Sequence, residues 1–303
     1  MENIILDVDT GIDDALAIVY AVVQKKAKIN LISCSYGNTS AEQATKNTLN
    51  VLNLINRADI PVVKGEEKPL ISERDSSISV HGKYGLGEYV FPPNKIGRVL
   101  DDAMEVMRDT ILKTKGKTTL IALGPLTNIA KLLHIYPSVK KKIKEIIISG
   151  GLLEDNKKKP YIGFNIAMDS YAVEYIFNSN VKTTICPSDF GHQAYLTYED
   201  QDVIASYNNT GKVFREILPF HHDRHVKTGA AVHDTCAVAC CTNKRLFKFS
   251  KRYVYLRKVR AAGKSVIDFD AKLKKHHIKA KVAEKMDVEK VKELIFESFR
   301  EMP

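Results

Sequence analysis

Four carboxylates, Asp7, Asp9, Asp13 and Asp14, fall within eight residues in the run Asp7-Val8-Asp9-Thr10-Gly11-Ile12-Asp13-Asp14. Like charges at that density repel, and placing them at the end of a buried strand is costly unless a cation or hydrogen bonds hold them there. A divalent metal with oxygen ligands is the simplest compensation, so the run points to a metal-assisted active site. A second signal lies far downstream, where Ala230-Ala231-Val232-His233-Asp234-Thr235-Cys236-Ala237-Val238 sets an adjacent His–Asp pair at the start of an apolar, helix-like stretch. Just before it, Phe220-His221-His222-Asp223-Arg224-His225 gathers further imidazoles.

The acidic run alone admits three readings. An EF-hand loop fails, because Gly11 and Ile12 fall where an oxygen ligand and the turn glycine belong, and Ile18 where the closing Glu is needed. A phosphatase of the haloacid-dehalogenase type also begins with Asp-x-Asp after its first strand, but it needs a later acidic pair and a positioned Lys, and neither stands out at a strand end. A helix N-cap with solvated charges explains one Asp well and four poorly.

These side chains must be carried by an alternating frame. Residues 3–9 read as a buried strand and 13–24 as a helix packed on it; 28–34, 60–64, 118–123, 143–148 and 182–186 read as further strands. Helices are expected near 41–56, 101–113, 127–133, 170–178, 199–208, 210–225 and from 234 onward. Two late strands (252–259 and 278–286) precede a final helix capped by Asp287, with Val288, Val291, Leu294, Ile295 and Phe299 on one face. Residues 72–94 lack periodicity, and a stretch that long inside a compact domain is usually a functional lid. The alternation predicts an α/β fold, an open and mostly parallel sheet with helices on both faces, in one domain spanning 1–303. Ligands then bind beyond the C-terminal strand ends, where the acidic run, the Asn38 loop, Gly124-Pro125 and Gly150-Gly151 all fall.

Composition narrows the class further. At 303 residues, 44% apolar and 27% charged, the chain can bury a sizeable core. No apolar run reaches the roughly 18 residues of a membrane span, and no basic leader precedes the first strand, so a cytoplasmic location without a membrane partner is expected. The five cysteines form no CxxC pair and are read as buried packing. The net charge of +10 gathers in short lysine runs without interleaved aromatics, which reads as solvated basic surface and not as a nucleic-acid interface.

The opening run and the His233-Asp234 motif together closely resemble the nucleoside hydrolases of the inosine-uridine-preferring family. The same order holds for Tyr36-Gly37-Asn38, His81-Gly82, Gly124-Pro125-Leu126-Thr127-Asn128-Ile129-Ala130, Ser149-Gly150-Gly151, Phe164-Asn165-Ile166 and Gly191-His192-Gln193-Ala194, so the resemblance spans nearly the whole chain. It implies a Rossmann-like nucleoside hydrolase fold and hydrolysis of the N-glycosidic bond of ribonucleosides to free base and ribose. It implies that Asp9, Asp14, Asp234 and the Leu123 carbonyl hold Ca²⁺, and that Asp9 acts as base toward a calcium-bound water. His233 would be the acid for the departing base, and His81 would close over the substrate. Asp13 would accept a hydrogen bond from ribose, with Asn38, Asn156, Phe164, Asn165, His221 and His225 as further substrate contacts. Family members commonly form homodimers or homotetramers, which is the expected assembly.

The sequence also departs from that pattern. Gly163 stands where the family usually has a Glu that holds a ribose hydroxyl, and the 5′-hydroxyl contact has no clean counterpart, with Asn156 adjacent to Lys157. Losing one charged hydrogen bond costs about 1.5–3 kcal/mol, or roughly 10- to 100-fold in rate. The alternatives are therefore a weakly active or inactive nucleoside-binding relative, tolerance of an anionic 5′ substituent near Lys157 to Lys159, and, more distantly, the phosphatase.

Overall fold

Ile4, Ile5, Leu6 and Val8 are fully buried because the strand they form, β1 (Glu2–Val8), has neighbours on both edges and helices on both faces. The computed structural model describes residues 1–71, 81–92, 99–153, 163–221, 226–259, 264–268 and 278–303. After β1 come α1 (Ile12–Val22), β2 (Ala27–Cys34), α2 (Ala41–Leu54), β3 (Val62–Lys64), β4 (Val99–Leu100), α3 (Ala103–Lys113), β5 (Thr118–Ala122), α4 (Thr127–Ile135) and β6 (Ile143–Ser149). They are followed by α5 (Phe164–Met168), α6 (Ser170–Phe177), β7 (Thr183–Cys186), α7 (Asp189–Gln193), β8 (Leu196–Thr197), α8 (Tyr198–Ala205), α9 (Asn209–Ile217), β9 (Gly229–Ala230) and α10 (His233–Thr242). The chain ends with β10 (Phe247–Val259), β11 (Lys264–Asp268), β12 (Ile278–Met286) and α11 (Val288–Arg300).

Ten strands among the described residues make one sheet in the order β11-β10-β12-β7-β6-β5-β1-β2-β3-β4. All pairs from β12 to β4 are parallel, and only β10 runs against its neighbours. This is the open, mostly parallel α/β sheet that the alternation predicts. One face is covered by α1, α2, α9, α10 and α11, the other by α3, α4 and α6, and each face has its own apolar core. The cysteines are all buried free thiols. Asp287 caps α11 by accepting the Lys290 N–H at 3.1 Å, and Val291, Ile295 and Phe299 are buried beneath it.

The differences from expectation have local causes. The helix expected over 210–225 stops at Ile217 and tightens into a 3-10 turn over Leu218–Phe220, because Pro219 has no N–H to continue the ladder. The strand expected at 252–259 starts earlier, at Phe247. Within the expected lid, residues 81–92 form turns around a Leu86–Glu88 bridge, whereas 72–80 and 93–94 lie outside the described residues.

Candidate active site

The strand-to-helix turn between β1 and α1 is closed by Asp14. Its Oδ2 accepts the Gly11 N–H at 2.9 Å and its Oδ1 the Asp9 N–H at 3.3 Å. An acidic side chain that turns back on the first amides of a helix satisfies donors that would otherwise be orphaned. Parallel pairing of β1 with β2, with Val8 opposite Cys34, brings the next loop alongside. From that loop Asn38 donates its backbone N–H to Asp9 Oδ2 at 2.7 Å and its side-chain amide to Asp14 Oδ2 at 3.0 Å. The approach is so close that a Cβ on Gly37, at φ +154°, would lie 1.9 Å from Asp9 Oδ2. Asp7 sits deeper, where its Oδ1 accepts Ser33 Oγ at 2.6 Å and Asn128 Nδ2 at 2.8 Å.

Asp234 enters from the first turn of α10, and carboxylate oxygens of Asp13, Asp14 and Asp234 all lie within 4.8 Å of one another. All five acids are buried. Burial is the main cause that pushes the carboxyls of Asp9 and Asp234 well above their ordinary range, with repulsion from neighbouring aspartates adding to it. Asp14 rises to about 7 through burial and the charge of Asp13. Asp7 also rises to about 7, by burial against the lowering effect of Ser33 and Asn128. Asp13 differs: burial opposes its ionisation, but His221, His81 and His233 outweigh that and hold its carboxyl below the usual range.

Asp9 Oδ1 is buried with no hydrogen-bond partner among the described residues. An all-oxygen cluster with an orphaned carboxylate oxygen suits a hard divalent cation. The Leu123 carbonyl, which immediately follows β5, accepts Asn165 Nδ2 and retains a second lone pair. Asp234 is hydrogen-bonded by Ser149 from the end of β6.

Histidines line the site beside Asp13. The rings of His81 and His221, both buried, are 5.1 Å apart, and each brings a ring nitrogen within 4.8 Å of an Asp13 oxygen. Nδ1 of His81 accepts the Ile12 N–H at 3.2 Å. His233 is half-buried; its Nδ1 lies 3.0 Å from the Ser188 carbonyl, and its ring is 4.7 Å from His192 and 6.3 Å from His221. A Cβ on Gly191 would meet Nδ1 of His233 at 2.2 Å, which explains the glycine there.

The structure thus brings Asp9, Asp13, Asp14, Asn38, Asp234, His81, His221 and His233 to one edge, with Leu123 and Asn165 bonded to each other beside them. Phe164 opens α5 next to Asn165 and is half-buried. Asn156 and His225 lie outside the described residues. Sequence reasoning missed Ser33, which steadies Asp7, and the Ser188 carbonyl and Ile12 amide, which orient His233 and His81. The last two are main-chain groups and leave no signal in side-chain identity.

Fold and site together define an α/β enzyme whose C-terminal sheet edge gathers buried carboxylates against a wall of imidazoles. The family model for the inosine-uridine preferring nucleoside hydrolases matches residues 4–293, and the chain belongs to that family of hydrolases acting on N-glycosyl compounds. It is 32% identical over 303 residues to a non-specific ribonucleoside hydrolase, RihC, of Salmonella typhi, over 99% of this chain and 98% of that protein. Among solved structures, a purine-preferring ribonucleoside hydrolase from Gardnerella vaginalis superposes with a TM-score of 0.87 at 26% identity, covering 99% of this chain and 98% of the other. A plant nucleoside hydrolase superposes with a TM-score of 0.86 at 26% identity, covering 99% of both chains. No helix among the described residues is long and apolar enough to cross a membrane.

Proposed function

We propose that the protein is a calcium-dependent nucleoside N-ribohydrolase, a single domain that releases free base and ribose. The observation that carries this reading is the orphaned Oδ1 of Asp9 beside the buried carboxylates of Asp13, Asp14 and Asp234. Asp9, Asp14, Asp234 and the Leu123 carbonyl would hold the ion. When bound, calcium would anchor the ribose diol and make a water in its shell more acidic.

The chain's own groups perform the remaining work. Asp9, fixed through Oδ2 by the Asn38 N–H, presents Oδ1 to take a proton from the attacking water. Asp13, kept ionised by its imidazole neighbours, accepts a hydrogen bond from a ribose hydroxyl. Breaking the glycosidic bond builds positive charge on the sugar, and the surrounding carboxylates stabilise that oxocarbenium-like state without reorganising. His233, whose ring lies 6.3 Å from that of His221, delivers a proton or hydrogen bond to the departing base, with His221 and Phe164 as its further contacts.

One observation favours a second reading, a weakly active nucleoside-binding relative. Gly163 supplies no carboxylate to the sugar, and a Cβ there would already press on the Gly151 amide at 3.1 Å. Ribose release from inosine and uridine, with and without a calcium chelator, separates the two. Turnover that disappears with chelator and in Asp9→Ala supports the hydrolase; tight nucleoside binding without turnover supports the relative.

A further inference from the structure

We infer that Asp169, which stands outside the acidic cluster, is a positioning residue that sets the Asn38 loop and the Asn165 helix relative to each other. Its consequence for calcium rests on the nucleoside hydrolase reading; the hydrogen bonds themselves do not.

Asp169 separates α5 from α6 and is 1% exposed. One of its oxygens has an ordinary duty: Oδ1 accepts the Ala172 N–H at 3.0 Å and caps α6. The other does more than a cap requires. Oδ2 accepts the Thr127 hydroxyl at 2.7 Å and the Leu70 N–H at 2.9 Å, from segments 42 and 99 residues away in the sequence. Three neutral donors thus converge on one buried carboxylate.

The single hydroxyl proton of Thr127 goes to Asp169, which fixes the direction of the next bond. Tyr36 Oη lies 2.9 Å from Thr127 Oγ1, and with that proton already used the phenol must donate. The series runs from Tyr36 to Thr127 to Asp169, and each bond polarises the one behind it. Asn128, the next residue of α4, holds the same tyrosine through the main chain. Its Oδ1 accepts the Glu66 N–H at 2.9 Å, and the Glu66 carbonyl accepts the Tyr36 N–H at 3.0 Å. Both ends of this fully buried tyrosine are therefore fastened to the start of α4.

Tyr36 leads directly into Gly37 and Asn38, and that loop has no slack, since a Cβ on Gly37 would lie 1.9 Å from Asp9 Oδ2. A shift of Tyr36 passes to the Asn38 N–H on Asp9 and to the Asn38 amide on Asp14. On the other side, α5 has five residues, too few to hold its place by its own hydrogen bonds. Asp169 follows it directly and fastens its end. The same short helix carries Asn165, whose amide donates to the Leu123 carbonyl. One carboxylate thereby links the two carboxamides that touch the groups assigned to the ion.

The test uses the full-length protein with one link removed at a time. Tyr36→Phe deletes the phenol hydroxyl, Thr127→Val deletes the middle hydroxyl at nearly constant shape, and Asp169→Asn replaces one acceptor by a donor. Thr127→Ser keeps the hydroxyl. Asp287→Ala removes a cap of the same kind from α11, which shares none of these bonds. In metal-free protein, the ¹H–¹⁵N signals of the Asn38 backbone amide and the Asn165 side chain should both move in Asp169→Asn. The Asn38 signal should also move in Thr127→Val and return in Thr127→Ser. An Asn38 signal untouched by Asp169→Asn overturns the inference. Should that variant fail to fold, the comparison of Thr127→Val with Thr127→Ser decides in the same way.

Calcium Kd by isothermal titration gives the second readout. It should weaken about 10-fold in Asp169→Asn and in Thr127→Val, and recover in Thr127→Ser. Asp287→Ala should lower the urea midpoint and leave Kd unchanged; an equal loss of affinity there would reduce Asp169 to a helix cap. Tyr36→Phe combined with Asp169→Asn should weaken binding no more than Asp169→Asn alone, because both cut one series. Factors that multiply would overturn the link. A wild type that neither binds calcium nor releases ribose defeats the hydrolase reading, and the metal-free spectra still decide on Asp169.

Discussion

Asn38 holds Asp9 by one oxygen only: its backbone N–H meets Oδ2 at 2.7 Å, while Oδ1 has no hydrogen-bond partner among the described residues. A carboxylate oriented in this way keeps Oδ2 for alignment and presents Oδ1 to the ion and the water beside it. Asp9→Asn preserves shape and removes the basic oxygen. We expect kcat for ribose release to fall by about 10²–10⁴ with the far-UV circular dichroism spectrum unchanged. A variant within tenfold of wild type would rule out Asp9 as the base.

Asn38→Ala leaves the main-chain bond to Asp9 but deletes the side-chain donor to Asp14 Oδ2 at 3.0 Å. Groups that orient ligands in this way are typically worth about 10- to 100-fold in metal affinity. Calcium Kd by isothermal titration should weaken by that factor. An unchanged Kd would show that Asp14 is held adequately by Gly11 and Asp9 alone.

Metal-free protein should lose stability as pH rises. The carboxyls of Asp7 and Asp14 move from 3.8 to about 7 on folding, so between those values the folded state binds protons that the unfolded state has released. The unfolding free energy then falls with pH across that window and levels off above about 7. Asp9 and Asp234, raised for the same reason of burial, act in the same direction, whereas the lowered Asp13 acts oppositely and only in strong acid. The urea midpoint with chelator present should be lower at about pH 8 than at about pH 5, and added calcium should recover most of the loss at the higher pH. A midpoint that rises with pH in chelator would contradict the burial of these groups.

Gly37→Ala introduces a Cβ 1.9 Å from Asp9 Oδ2, on backbone at φ +154°. The loop must move, and with it the Asn38 donors. A cost of about 1–3 kcal/mol is expected in denaturant titration, together with weaker calcium binding. Wild-type stability and affinity together would mean that the loop relaxes without disturbing Asp9.

The sheet and the acidic half of the site were legible from the chain for a shared reason. Buried parallel strands require apolar runs such as Ile4 to Leu6, and an Asp at the end of such a run is conspicuous. His233 and Asp234 were legible because a charged pair opens an apolar helix. The end of α9 was misjudged because polar residues after Pro219 continue a helical pattern that the imide nitrogen cannot support. The orientation of His81 and His233 was not legible at all. It depends on the Ile12 amide and the Ser188 carbonyl, and every residue type carries a carbonyl and every one but proline an amide N–H.

The position of Asp234 has a consequence for biosynthesis. Asp9, Asp13 and Asp14 leave the ribosome early, in the turn and first helix that follow β1, yet their fourth carboxylate arrives only when α10 has been made and packed beside α1. Until then the nascent chain carries an incomplete chelate. Cation capture would therefore mark the completion of folding, and a chain terminated before residue 234 should leave calcium free in solution.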